Sequence, residues 1–142
     1  MVKPLYETKV ISNGGRDGKV FSEDNTFYQD LAVPKEMGGN GVTESNPEQL
    51  FAAGYSACFN NALMHILKSD SKGTIEPEVS VTAYLLPDKN DGGVKLAAEL
   101  DVTLTDMTQE EAETYVEKAH NYCPYSEALK ESIDIEIQVS VN

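Results

Sequence analysis

Two sulfurs and one permanent cation are the side chains of this sequence best suited to covalent chemistry. Cys58 closes the stretch NPEQLFAAGYSACF that begins at Asn46 and ends at Phe59, and Cys123 lies within AHNYCPYS, which ends at Ser126. A thiolate is a strong nucleophile. Oxidised to a sulfenic acid, it condenses with a second thiol if that thiol can reach it. A lone cysteine in a core helix is ordinarily a small hydrophobe. Here both cysteines fall on faces expected to be buried, and Cys123 precedes a helix start whose dipole can lower a thiol pKa. A pair of ordinary buried thiols remains the simpler reading.

A reactive thiolate needs a nearby positive charge. Arg16 stands in the turn Asn13-Gly14-Gly15-Arg16-Asp17-Gly18 and stays charged at any working pH. Such an arginine is usually solvated. Glu48, in the first turn of the helix that begins at Pro47, is already explained by the helix dipole. Ten residues separate it from Cys58, about 15 Å along one helix axis, so it cannot touch that sulfur. It can hold Arg16 by a two-armed contact, or serve a neighbouring chain. His65 and His120 raise the question of zinc, since His120 is three residues before Cys123. With no Cys-x-x-Cys pair and Pro124 beside one would-be ligand, no metal is expected. No glycine loop matches a phosphate or dinucleotide fingerprint, so no bound cofactor is expected either.

These residues need elements to place them. Asn46 is a good N-cap, Pro47 suits the first helical position, and Gln49 stands where a capping box closes. A helix is predicted from Pro47 to about Lys68, with Phe51, Tyr55, Cys58, Ala62 and Ile66 on its buried side. Gly54 lowers helix propensity by roughly 1 kcal/mol relative to Ala, so something should approach the helix closely there. Before it, strands are expected at 6–12, 19–22 and 26–33, as an antiparallel meander, then a glycine-bearing loop 34–45 with Gly38, Gly39 and Gly41. After it, strands at 78–86 and 94–105 flank the turn at 87–93. Thr108-Gln109-Glu110-Glu111 reads as a capping box opening a helix with Ala112, Tyr115, Val116, Ala119 and Tyr122 or Cys123 inward. A short helix from Pro124 through Lys130 follows, and Ile133 to Val141 alternates as the last strand. The class is α+β, mainly antiparallel sheet packed on a long central helix, in one domain over 1–142.

Charge narrows the partners. With 24 acidic against 11 basic residues the formal charge is −13, which argues against nucleic acid and anionic membranes. No stretch has the length of a membrane span, and the N-terminus lacks a signal-peptide core. A soluble, cytoplasmic protein is expected, a compartment where disulfides are transient and catalytic.

NPEQLFAAGYSACF and AHNYCPYS, with GGRDG at 14–18 and PKEMGG at 34–39, closely resemble the organic hydroperoxide resistance proteins of the OsmC/Ohr superfamily. The resemblance runs nearly end to end. It implies an OsmC-like intertwined homodimer and a thiol peroxidase acting on organic hydroperoxides. It implies that Cys58 is the peroxidatic nucleophile and Cys123 the resolving cysteine, joined in a disulfide, with Arg16 the cation and Glu48 its partner. A dithiol, dihydrolipoamide or a lipoylated protein, is the implied reductant. Asn60 and Asn61 place more polarity after the nucleophile than the pattern leads one to expect. A non-catalytic redox sensor or ligand-binding dimer using the same thiols is the alternative.

Overall fold

The computed structural model describes residues 2–40 and 45–142. By internal contacts the chain divides into two compact units, Met1–Leu50 and Phe51–Asn142. In the first, β1 (Val10–Asn13), β2 (Lys19–Ser22) and β3 (Tyr28–Asp30) form the expected antiparallel meander, in the order β1-β2-β3. β2 has the expected bounds, while β1 and β3 are shorter than the expected 6–12 and 26–33. At the β2–β3 turn, one oxygen of Asp24 accepts from the Ser22 hydroxyl at 2.7 Å, the Thr26 hydroxyl at 2.7 Å and the Thr26 N–H at 3.1 Å. Phe27 N–H donates to Ser22 Oγ. Thr26 and Phe27 are thereby spent on the turn, and β3 starts only at Tyr28.

The β1–β2 turn carries Arg16 on a single 3-10 turn, Gly15–Asp17. Gly14 has φ +83°, and a Cβ on Gly18 would lie 1.9 Å from the Asn13 carbonyl oxygen. Glycine at both positions is what lets this turn close. In the following loop, Lys35–Met37 forms another 3-10 turn, while the expected Gly41 lies outside the described residues.

Helix α1 spans Pro47–Ser69, and Gln49 N–H donates to its cap, Asn46 Oδ1, at 2.9 Å. Its innermost residues are Tyr55, Phe59, Ala62, Leu63 and Leu67; Phe51, Cys58 and Ile66 only border the core. The buried stripe is therefore rotated from the expected one. The four-residue spacing of Phe59, Leu63 and Leu67 puts larger apolar side chains inward, and area removed from water decides the orientation.

Strands β4 (Glu78–Pro87), β5 (Val94–Leu104) and β6 (Asp134–Val141) form a second sheet, in the order β4-β5-β6. β4 and β5 pair antiparallel across the turn, whereas β5 and β6 pair parallel. The mainly antiparallel expectation thus meets one parallel pair. Two helices intervene between β5 and β6, α2 (Gln109–Tyr122) and α3 (Pro124–Leu129), and such a crossover returns the chain to the same end of the sheet. Helix α2 starts with the expected capping box, in which Glu111 N–H donates to Thr108 Oγ1 and Thr108 N–H to Glu111 Oε1, each at 3.1 Å. Ala112, Tyr115, Val116 and Ala119 of α2 are buried with Leu100, Val102 and Leu104 of β5. Among the described residues, no helix is long and apolar enough to cross a membrane.

Candidate active site

Cys58 lies one turn beyond Tyr55 on α1. Cys123 occupies the junction of α2 and α3, with the extended dihedrals φ −65° and ψ 123°, and its N–H donates to Ala119 O at 2.8 Å. One residue thus ends one helix and begins the next, because Pro124 cannot continue α2 but suits the first position of α3. Of the sequence alternatives Tyr122 and Cys123, Cys123 points inward with no exposed surface, while Tyr122 is exposed. The Cys123 thiol is directed at the Cys58 sulfur across 3.7 Å. Both thiols are free, with Cys58 only partly buried. A covalent S–S bond needs about 2.05 Å, so a side-chain movement of under 2 Å separates contact from bond.

The wall around the sulfurs is aromatic. Tyr55 meets Phe51 edge-on at 5.9 Å between ring centroids and lies nearly parallel to Tyr125 at 5.9 Å. The close approach expected at Gly54 comes from Tyr125, whose hydroxyl oxygen would be 3.0 Å from a Cβ there. The buried Tyr55 and Ser126 hydroxyls share a hydrogen bond of 2.6 Å. Burial, and next the adjacent Cys123 thiol, hold the Cys58 pKa above that of an ordinary cysteine. The backbone of Tyr125, at the start of α3, opposes them and lowers it.

Within residues 1–50, Arg16 and Glu48 form the two-armed pair. Arg16 Nη1 donates to Glu48 Oε1 at 2.5 Å and Nη2 to Oε2 at 3.1 Å. The arginine side chain is 38% exposed and the glutamate 19%, so neither is a freely solvated surface group. The glutamate hydrogen bond raises the arginine pKa further. The four sequence candidates are therefore brought together as two pairs, Arg16 with Glu48 and Cys58 with Cys123.

The remaining candidates lie outside these pairs. His65 stacks on Tyr122 at 5.1 Å, beside a cavity of about 320 Å³ whose lining includes Asn61, Met64, Lys68 and Ile75 but neither cysteine. His120 is half-buried, and desolvation, then Lys130, lower its pKa. Among the described residues no group of three or more His, Cys, Asp or Glu could hold a metal ion. Asn60 is turned toward β4, its Nδ2 donating to Pro77 O at 3.1 Å. Sequence reasoning took Tyr55 only as core and passed over Ser126. The available signal was spacing, since Tyr55 precedes Cys58 by three residues and Ser126 follows Cys123 by three.

Comparison with known proteins decides the family. The sequence profile described as OsmC-like protein matches residues 38–138, a span holding Glu48 and both cysteines. The chain belongs to the OsmC-like family. Within it, a relative from Staphylococcus saprophyticus named organic hydroperoxide resistance protein-like 2 is 99% identical over 142 residues, covering 100% of both chains. An organic hydroperoxide resistance protein from Legionella pneumophila has a structure matching with a TM-score of 0.91 at 41% identity, over 98% of this chain and 100% of that one. The organic hydroperoxide resistance protein OhrB of Bacillus subtilis matches with a TM-score of 0.88 at 38% identity, over 96% and 99%. This OsmC-like chain is thus similar to those proteins over nearly its whole length, the Arg16 turn included.

Proposed function

We propose that this OsmC-like protein is a cytoplasmic, homodimeric thiol peroxidase that reduces organic hydroperoxides to alcohols. The single observation that carries the reading is the Cys58–Cys123 contact at 3.7 Å in an aromatic surround. The Cys58 thiolate attacks the terminal oxygen of R–O–O–H; the O–O bond breaks, leaving Cys58–SOH and an alkoxide that takes up a proton as the alcohol. The Cys123 thiol then displaces hydroxide from the sulfenic sulfur, giving the Cys58–Cys123 disulfide and, with the thiol proton, water. A dithiol such as dihydrolipoamide, free or protein-bound, returns both thiols and leaves as its own disulfide. No bound cofactor takes part.

Arg16 acts in this proposal as the cation that stabilises the thiolate and the developing alkoxide, and Glu48 as the residue that fixes its direction. The two-armed contact supports that division, because a guanidinium held at both nitrogens loses little freedom when it meets an anion. The raised Cys58 pKa gives it a task, since a thiol kept protonated by burial needs a positive charge to react at neutral pH. The apolar rings beside Cys58 favour alkyl or fatty-acid hydroperoxides over hydrogen peroxide.

Turnover is the test. With dihydrolipoamide in excess, the protein should consume many equivalents of tert-butyl hydroperoxide, and Cys123→Ser should stop after one, with a sulfenic acid trapped on Cys58. Wild-type consumption that ends after about one equivalent would instead identify a sensor. Normal cycling by Cys123→Ser would remove the resolving role.

A further inference from the structure

We infer that the buried Tyr55–Ser126 hydrogen bond is a positioning latch for the second oxidative step, setting how fast Cys123 reaches the Cys58 sulfenic acid. This inference rests on the proposed peroxidase reading. Tyr55 and Cys58 are three residues apart on α1, and Cys123 and Ser126 are three apart across the start of α3. The two pairs face each other as rungs running in opposite directions, one of oxygens at 2.6 Å and one of sulfurs at 3.7 Å. Only the sulfur rung must shorten. Cys123 sits where two helices meet in extended backbone, the natural place for the chain to swing, and α3 itself is only six residues long.

A hydroxyl pair buried completely has no water to exchange with, so it holds its geometry more firmly than the ring contact beside it. With the latch closed, the start of α3 stays against α1, and Cys123 can cover the remaining distance by side-chain rotation. Without it, α3 drifts, and the sulfenic acid and the thiol lose mutual orientation. The first step needs only Cys58, the hydroperoxide and the positive charge, so the latch leaves it alone. The Tyr55 and Ser126 hydroxyls are tied to each other and act through Cys123, while the Tyr55 ring that lines the site is kept in Tyr55→Phe. No atoms or electrons are exchanged at the latch.

The test is a single turnover of the full-length protein with one equivalent of cumene hydroperoxide, quenched over time with dimedone and a thiol alkylator and read by mass spectrometry. Tyr55→Phe keeps the ring stack and Ser126→Ala removes the other hydroxyl, so at least one variant should fold, as checked by a cooperative melt. In both, sulfenic acid formation should stay within about twofold of wild type, while conversion to the disulfide slows about five- to tenfold, the factor one buried hydrogen bond carries. The double variant should be no slower than either single one, because both remove the same rung. Disulfide formation at wild-type speed in folded variants, or equal slowing of both steps, would overturn the latch while the peroxidase reading stands. A wild-type protein that forms no Cys58–Cys123 disulfide would overturn both.

Discussion

Residues 51–142 hold the Cys58–Cys123 pair by burial, whereas the described residues of 1–50 hold the Arg16–Glu48 pair by hydrogen bonds. In the core that Cys123 belongs to and Cys58 borders, Tyr55, Phe59, Leu63, Leu67, Leu100 and Leu104 have no exposed surface. In the first unit, the buried described residues are Ser22, Leu31 and Ala32, and Val2, Leu5, Tyr6, Val10 and Tyr28 stand in solvent. Its arginine is placed by a glycine turn and a carboxylate that grips both guanidinium nitrogens. A sulfur pair needs a dry, fixed setting, because small displacements decide whether it bonds. In the proposed chemistry the cation needs a fixed direction and some access to water, and Arg16 has both, gripped at two nitrogens with its side chain 38% exposed. The two regions therefore predict different sensitivities, the second to lost volume and the first to lost charge and salt.

The harshest break is at Cys58, the proposed nucleophile. Cys58→Ser should abolish hydroperoxide consumption while preserving a cooperative melt, since Cys58 only borders the core. Residual turnover would move the chemistry elsewhere. Next in size, Leu63→Ala should lower unfolding free energy by about 2–5 kcal/mol, whereas Val10→Ala on exposed β1 should change it by under about 0.5 kcal/mol. Urea titrations of both variants test this contrast directly, and equal losses would refute it. Arg16→Gln should slow Cys58 oxidation about a hundredfold, the scale for removing one donor to a developing anion, with little change in melting temperature.

The same variant sharpens the pH dependence. Because burial raises the Cys58 pKa, the thiolate fraction and the oxidation rate should climb as pH rises from neutral. Loss of the guanidinium should push that profile to still higher pH; an unmoved profile would separate Arg16 from the thiol. The smallest effect is at the exposed β2–β3 turn. There the Ser22 hydroxyl, then the Thr26 hydroxyl and N–H, hold the Asp24 pKa down to about 2, below the usual carboxylate range. A depressed carboxylate stabilises the folded form above its unfolded pKa, and that contribution fades as pH falls through about 2. An NMR titration should find this midpoint, and Asp24→Asn should remove the dependence; a midpoint near 3.8 would show that the turn does not hold the carboxylate.

Much of this arrangement was legible in the residues. Capping residues gave the starts of α1 and α2, alternation gave β6, and the two cysteine motifs with the glycine turn gave the family. The start of β3 was not, because Asp24 draws Thr26 into the turn through contacts that alternation does not register. The buried side of α1 keeps Tyr55 and Ala62 of the expected stripe but centres on Phe59, Leu63 and Leu67, whose bulk outweighs that of Ile66 and Cys58. The parallel pairing of β6 follows from the α2–α3 crossover and leaves no mark in the strand itself. The start of α3 was expected to act on Cys123. Its Tyr125 backbone lowers the Cys58 pKa, an influence that exists only once α1 and α3 pack.

Two sulfurs 3.7 Å apart within one chain are the centre of the proposed chemistry. Mixing isotopically light and heavy protein, adding one equivalent of cumene hydroperoxide and digesting without reduction would show this by mass spectrometry. The expected product joins the Cys58 and Cys123 peptides through a disulfide, both halves always carrying the same label. A Cys58 peptide oxidised to sulfinic acid beside an unmodified Cys123, or linked halves of mixed label, would contradict it.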